Sequence, residues 1–127
     1  MLRVLVIDDE PAVRFLLQKN LEFAGFDVMA AEDGASGLEM VREGRPDVVV
    51  LDLMMPHLDG FEVLRRLSAD GDRAVPPVLV LTALSEPTVK MRCYEFGAAS
   101  VMTKPFDPSA LAAEVARVAG AERHAPA

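Results

Sequence analysis

Leu2-Arg3-Val4-Leu5-Val6-Ile7-Asp8-Asp9-Glu10-Pro11 opens the chain with an apolar, largely β-branched run that stops abruptly in three acids and a proline. So short and nearly unbroken a run suits a parallel strand buried on both faces, and Pro11 suits the first turn of a helix. Val48 to Leu51 and Val78 to Leu81 repeat the pattern and make two further central strands. Between them apolar residues recur at helical spacing: Val13, Leu16, Leu17 and Leu21, then Leu38 and Val41, then Phe61, Val63, Leu64 and Leu67. Strand and helix therefore alternate.

Punctuation divides the chain in the same way. Gly25 closes the first helix, and Gly44, Arg45 and Pro46 end the second. Asp27 to Ala31 reads as a second strand, Asp70 to Pro77 as a polar loop, and Ser100 to Thr103 as a last strand between helices over Pro87 to Phe96 and Pro108 to Ala119. Five strands and five helices result. The expected fold is α/β, a doubly wound parallel sheet with right-handed crossovers and helices on both faces. Ligands of such sheets lie beyond the carboxyl ends of the strands. Residues 1–119 are expected to form one domain, with 120–127 a loose tail or the start of a linker.

Composition narrows the function. With 127 residues and a formal charge of -7, the chain has one domain's length and no block of Lys and Arg to grip a phosphate backbone. No direct nucleic-acid surface is expected. Cys93 is the only cysteine, so no intramolecular disulfide can form. No apolar run approaches the roughly 20 residues of a membrane span. Asp8, Asp9 and Glu10 also end the first apolar stretch too early for a signal peptide, so the cytoplasm is the expected location.

Four strands stop in polar residues: Asp8 and Asp9, Asp52, Thr82, and Lys104. In a parallel sheet all five side chains converge on one rim. Any one of them alone reads as a helix cap or solvated loop residue; four coincidences point to a site. Carboxylates that close repel by up to about 4 kcal/mol per pair at 4 Å and an effective dielectric near 20, which one lysine does not offset. A hard divalent cation does, and oxygen ligands suit Mg²⁺ better than zinc; His57 and His124 supply no cluster. A carboxylate beside Mg²⁺ and an ammonium is placed to attack phosphorus in line, with Thr82 sensing the resulting acyl phosphate.

At these residues the chain resembles the receiver domain of bacterial two-component response regulators, of the chemotaxis-receiver type. Val-Leu-Val-Ile-Asp-Asp-Glu-Pro, Asp-Leu-Met-Met-Pro-His-Leu-Asp-Gly, Val-Leu-Thr-Ala and Thr-Lys-Pro-Phe carry the resemblance, which runs from Met1 to about Ala119. It implies strand order 2-1-3-4-5, with Asp52 phosphorylated by a histidine kinase or histidine phosphotransfer protein in a Mg²⁺-dependent reaction. It also implies that Asp9, Asp52 and the Met54 backbone carbonyl hold the metal, that Asp8 does so through water, and that Lys104 binds the phosphoryl group. The bond from Lys104 to Pro105 is usually cis in such domains, and the last two helices are the implied surface for a downstream protein. Glu10 is read as capping or lining the first helix, Asp59 as a turn residue, Phe106 as core and Cys93 as a partly buried helix residue.

The chain departs from the pattern at Val101, where relatives carry an aromatic ring that follows the threonine, so the Ala83 to Pro87 loop or the fourth helix is expected to carry the switch. Met54 and Leu84 stand two residues after Asp52 and Thr82, where relatives flank the path of the hydrolytic water; both are apolar here, and slow self-dephosphorylation is expected. A stand-alone receiver or phosphorelay shuttle and a segment of a longer regulator are both compatible with the length. An aspartyl-phosphate hydrolase is the enzyme alternative, but its second acid two residues after the nucleophile is replaced by Met54. A nucleotide- or flavin-binding module would need a glycine loop where Asp-Asp-Glu-Pro stands.

Overall fold

The computed structural model describes residues 1–54, 60–68 and 76–123, the last three of these without their side chains. Its elements run β1 (Arg3–Ile7), α1 (Pro11–Phe23), β2 (Asp27–Ala31), α2 (Gly34–Gly44), β3 (Val48–Leu51), α3 (Gly60–Ser68), β4 (Val78–Thr82), α4 (Pro87–Glu95), β5 (Ser100–Thr103) and α5 (Pro108–Arg123). All five strands are parallel and lie in the order β2-β1-β3-β4-β5, so the chain reverses its direction of travel across the sheet between β1 and β3. The alternation expected from the sequence is thus the observed architecture.

The unbroken apolar runs serve two cores at once, because successive strand side chains point to opposite faces. Leu5, Ile7, Val49, Leu51, Val78 and Val80 pack on one face with Val63, Leu64 and Leu67 of α3 and Cys93 of α4. Val4, Val6, Val48, Val50, Leu79 and Leu81 pack on the other with Leu17 and Leu21 of α1 and Leu111, Val115 and Val118 of α5. Burying both faces removes a strand from solvent. Every residue of β3 and β4 is accordingly buried.

Helix ends follow their local chemistry. Gly25 takes φ 100°, and the Phe26 N–H then donates to the Leu21 carbonyl at 3.1 Å, closing α1 as expected. Two expectations need correction. Leu16 is 51 % exposed, since the buried stripe of α1 runs through Leu17 and Leu21 and leaves its neighbour at the edge. The last helix continues past Ala119 to Arg123, because Ala, Glu and Arg favour helix and Gly120 alone costs only about 1 kcal/mol; residues 124–127 lie outside the described part of the chain. At the other end of β5, the Ser100 hydroxyl hydrogen-bonds Glu114, whose carboxylate also takes both arms of Arg117 at 2.7 Å. This pins α5 to the sheet.

The start of α3 presses on the end of β3. The Gly60 N–H donates to the Leu53 carbonyl at 3.0 Å, and a Cβ at Gly60 would overlap the Leu53 Cα and come within 2.7 Å of the Asp52 carbonyl. Only glycine fits. Gly60→Ala is expected to destabilise the protein by roughly 1–3 kcal/mol, as overpacking against backbone does. A urea midpoint equal to that of the wild type would refute this.

Candidate functional site

Register builds the site. Ile7 of β1 stands beside Leu51 of β3, so the next residues, Asp8 and Asp52, leave the sheet side by side, and the Asp52 N–H donates to the Ile7 carbonyl at 3.0 Å. Each carboxylate then folds back on its own turn. Asp8 Oδ1 accepts the Glu10 N–H at 3.0 Å and Asp52 Oδ1 accepts the Met54 N–H at 3.1 Å. On the far side Thr82 pairs with Thr103, and the Lys104 N–H donates to the Thr82 carbonyl at 2.8 Å. The Lys104 Nζ thereby reaches Asp8 Oδ2 at 3.3 Å and Asp52 Oδ2 at 3.8 Å. The bond from Lys104 to Pro105 is cis, as the resemblance implied.

Asp8, Asp9 and Asp52 each offer an oxygen within 4.8 Å of the others. Asp8 is 1 % and Asp52 4 % exposed, while Asp9 is half-buried. Burial raises the Asp52 carboxyl to about 6, against the pull of the Met54 N–H and the Lys104 charge and with help from Asp8 and Asp9. One ammonium leaves the charge unbalanced. The cluster is all oxygen, joined by no His or Cys from among the described residues, and so fits a hard divalent cation, Mg²⁺ in particular because it binds through few carboxylates and keeps several waters. Met54 lies in the turn that its N–H closes on Asp52, which keeps the backbone of residue 54 beside that carboxylate.

Thr82 sits at the end of β4, next to β3, wholly buried, and its hydroxyl accepts the Leu84 N–H at 3.1 Å. Its own O–H remains to donate. Val101 is half-buried and packs into the core on the α3 and α4 face, and Phe106 is half-buried against the α1 and α5 core. Cys93 is wholly rather than partly buried, and burial pushes its thiol above the usual range. Glu10 occupies the N-cap position of α1 but its side chain makes no capping bond. Asp59, His57 and His124 lie outside the described residues.

Two features escaped the sequence reading. The Arg14 guanidinium donates to the Asp8 carbonyl at 2.9 Å, a contact six residues apart that no periodic pattern marks. Beside Lys104, a cleft of about 280 Å³ lined by Val13, Leu16, Asn20, Pro105, Phe106 and Pro108 opens between α1 and the start of α5. Exposure of Leu16 was the missing signal.

Comparison with known proteins agrees with this geometry. The family model described as the response regulator receiver domain matches residues 4–116. Among curated relatives, the DNA-binding dual master transcriptional regulator RpaA of Synechocystis is 45 % identical over 113 residues, covering 89 % of this chain and 47 % of that protein. The alkaline phosphatase synthesis transcriptional regulatory protein PhoP of Bacillus subtilis is 43 % identical over 113 residues, covering 89 % and 46 %. The chain thus spans about half the length of these relatives. Among solved structures, the chemotaxis protein CheY4 of Vibrio cholerae is 32 % identical with a TM-score of 0.86, covering 93 % of this chain and 98 % of that one. The Francisella response regulator 1452 receiver domain is 31 % identical with a TM-score of 0.88, covering 94 % and 98 %. Family match, fold and rim coincide, and the chain belongs to the receiver domains of two-component response regulators.

Proposed function

We propose that Asp52 accepts a phosphoryl group in a Mg²⁺-dependent reaction and that this switches the domain between two conformations. The observation that carries the reading is the cluster of Asp8, Asp9 and Asp52 oxygens within 4.8 Å, with the Lys104 ammonium touching Asp8 and Asp52. Asp9, Asp52 and the Met54 carbonyl would hold the ion directly, and Asp8 through water. When bound, Mg²⁺ supplies charge that relieves the repulsion among the carboxylates and stabilises the phosphoryl oxygens.

The chain's own groups account for the rest. Asp52 forms the new P–O bond as the P–N bond to a donor histidine breaks, which makes a histidine kinase or histidine phosphotransfer protein the upstream partner. Lys104 stands between Asp8 and Asp52, where it stabilises charge on the transferred group. The Thr82 hydroxyl donates to the acyl phosphate and favours the conformation that shortens that bond. With Val101 in β5, the change passes through the Ala83 to Pro87 loop or α4. Tyr94 and Met91 of α4 are 52 % and 61 % exposed, apolar surface that suits a downstream protein contact on the last two helices. The domain boundary expected at residue 119 moves to Arg123, where α5 ends. Among the described residues no helix is long and apolar enough to cross a membrane, and the cytoplasm, where such kinases deliver phosphate, is the proposed location.

Incubation with acetyl phosphate should add one phosphate in the presence of Mg²⁺ and none after EDTA, with Asp52→Ala unmodified. Modification of the alanine variant at the same rate would sink the assignment. Met54 is 59 % exposed next to the acceptor and brings no polar group to a water approaching it. Met54→Asn is therefore expected to shorten the acyl-phosphate lifetime, and an unchanged or longer lifetime would count against this role.

The raised Asp52 carboxyl also ties stability to pH in the absence of metal. Its folded value of about 6 exceeds the ordinary 3.8, so between those values the folded chain holds a proton that the unfolded chain has lost. Stability contributed by this group is full below about 4 and falls as pH rises through about 6. In EDTA, Asp52→Asn should therefore unfold at higher urea than the wild type at pH 7.5, with the gap closing toward pH 4. A gap that stays constant across that range would contradict the burial argument.

A further inference from the structure

Asp9 is the least restrained of the three acids. Asp8 is held by the Glu10 N–H and Lys104, and Asp52 by the Met54 N–H and Lys104, whereas no described residue donates a hydrogen bond to the Asp9 carboxylate. Its position is set through its backbone. That backbone lies in a loop where the start of α1 offers little support, since Pro11 has no N–H and Glu10 makes no side-chain cap.

Arg14 holds both ends of this loop. Its N–H donates to the Glu10 carbonyl at 2.9 Å, and its guanidinium reaches back to the Asp8 carbonyl, also at 2.9 Å. The Asp8 carbonyl and the Asp9 N–H belong to one planar peptide unit, so a donor fixed on that oxygen restricts the rotation that would swing Asp9 away. Arg14 is half-buried, and among the described contacts its guanidinium meets the rim at this backbone carbonyl and forms no ion pair with the three acids.

We infer that Arg14 is a positioning residue for the divalent-cation site, fixing the peptide plane from which Asp9 projects and so presenting Asp9 to the ion. This rests on the Mg²⁺-dependent reading of the rim. A partner that orients a ligand in this way raises affinity for the ion without touching it.

The test is calorimetric titration of MgCl₂ into wild type, Arg14→Met and Arg14→Lys, together with urea unfolding of each in EDTA. Arg14→Met keeps the apolar stem and removes the donor; its Kd for Mg²⁺ should rise about tenfold. Arg14→Lys keeps a donor of poorer reach and should recover part of the loss. At saturating Mg²⁺ the rate of modification by acetyl phosphate should stay within about twofold of wild type in both. Should Arg14→Met not fold, a raised Kd in Arg14→Lys supports the role and a wild-type Kd overturns it. Variants that lose urea stability while keeping the wild-type Kd would show a merely structural arginine. A wild-type chain that binds no Mg²⁺ would remove the cation reading itself, and this inference with it.

Discussion

Three carboxylates brought within 4.8 Å of one another at the mouth of an apolar sheet are the constraint on which the rest of the structure turns. At an effective dielectric near 20 each pair opposes its neighbour by about 3–4 kcal/mol, and two of the three are nearly wholly buried. The fold imposes this proximity. Asp8 and Asp52 follow directly on Ile7 and Leu51, which are paired across β1 and β3, and both strands are fixed by cores on their two faces. Moving the acids apart would require a shift of register that turns every buried side chain to the wrong face.

The surrounding contacts make sense as partial answers to that repulsion. The Glu10 and Met54 N–H groups each take one oxygen, and Lys104 spans Asp8 and Asp52 from the far edge of the site. These are too few to balance three negative charges, and the burial that remains uncompensated is what lifts the Asp52 carboxyl to about 6. An acid so placed is strained electrostatically toward anything that brings positive charge. A divalent cation does so, which is why a rim of three acids and one lysine suits it.

Away from the rim, α4 is joined to α3 by polar and aromatic contacts instead of by a ring on β5. The Arg92 guanidinium lies 4.5 Å from the Phe61 ring and 5.7 Å from Phe96, the two rings meet edge to face at 5.8 Å, and the Ser68 hydroxyl donates to the Phe96 carbonyl at 2.7 Å. Gly60, at the other end of α3, touches the Asp52 and Leu53 backbone. The Asp52 and Leu53 backbone, α3 and α4 are therefore in continuous contact on the face where Val101 is half-buried.

Local pattern was enough for the elements, their parallel alternation and the identity of the rim acids, while the strand order 2-1-3-4-5 came with the family resemblance. Runs such as Val48 to Leu51 have one stable use, a strand covered on both faces, and parallel strands that end in Asp8, Asp52, Thr82 and Lys104 must gather those residues at one edge. What the tertiary structure alone decided depends on distance between residues that no local period relates. Leu16 matches the helical apolar pattern as well as Leu17 does, and only the placement of α1 against the sheet leaves it exposed over a cleft. Cys93 is sealed because α4 lies on α3 and β5, and Arg14 reaches the Asp8 carbonyl because the loop before α1 curls back on itself. Periodicity records which way a side chain faces along its own element; which atoms it meets is fixed only when the elements pack.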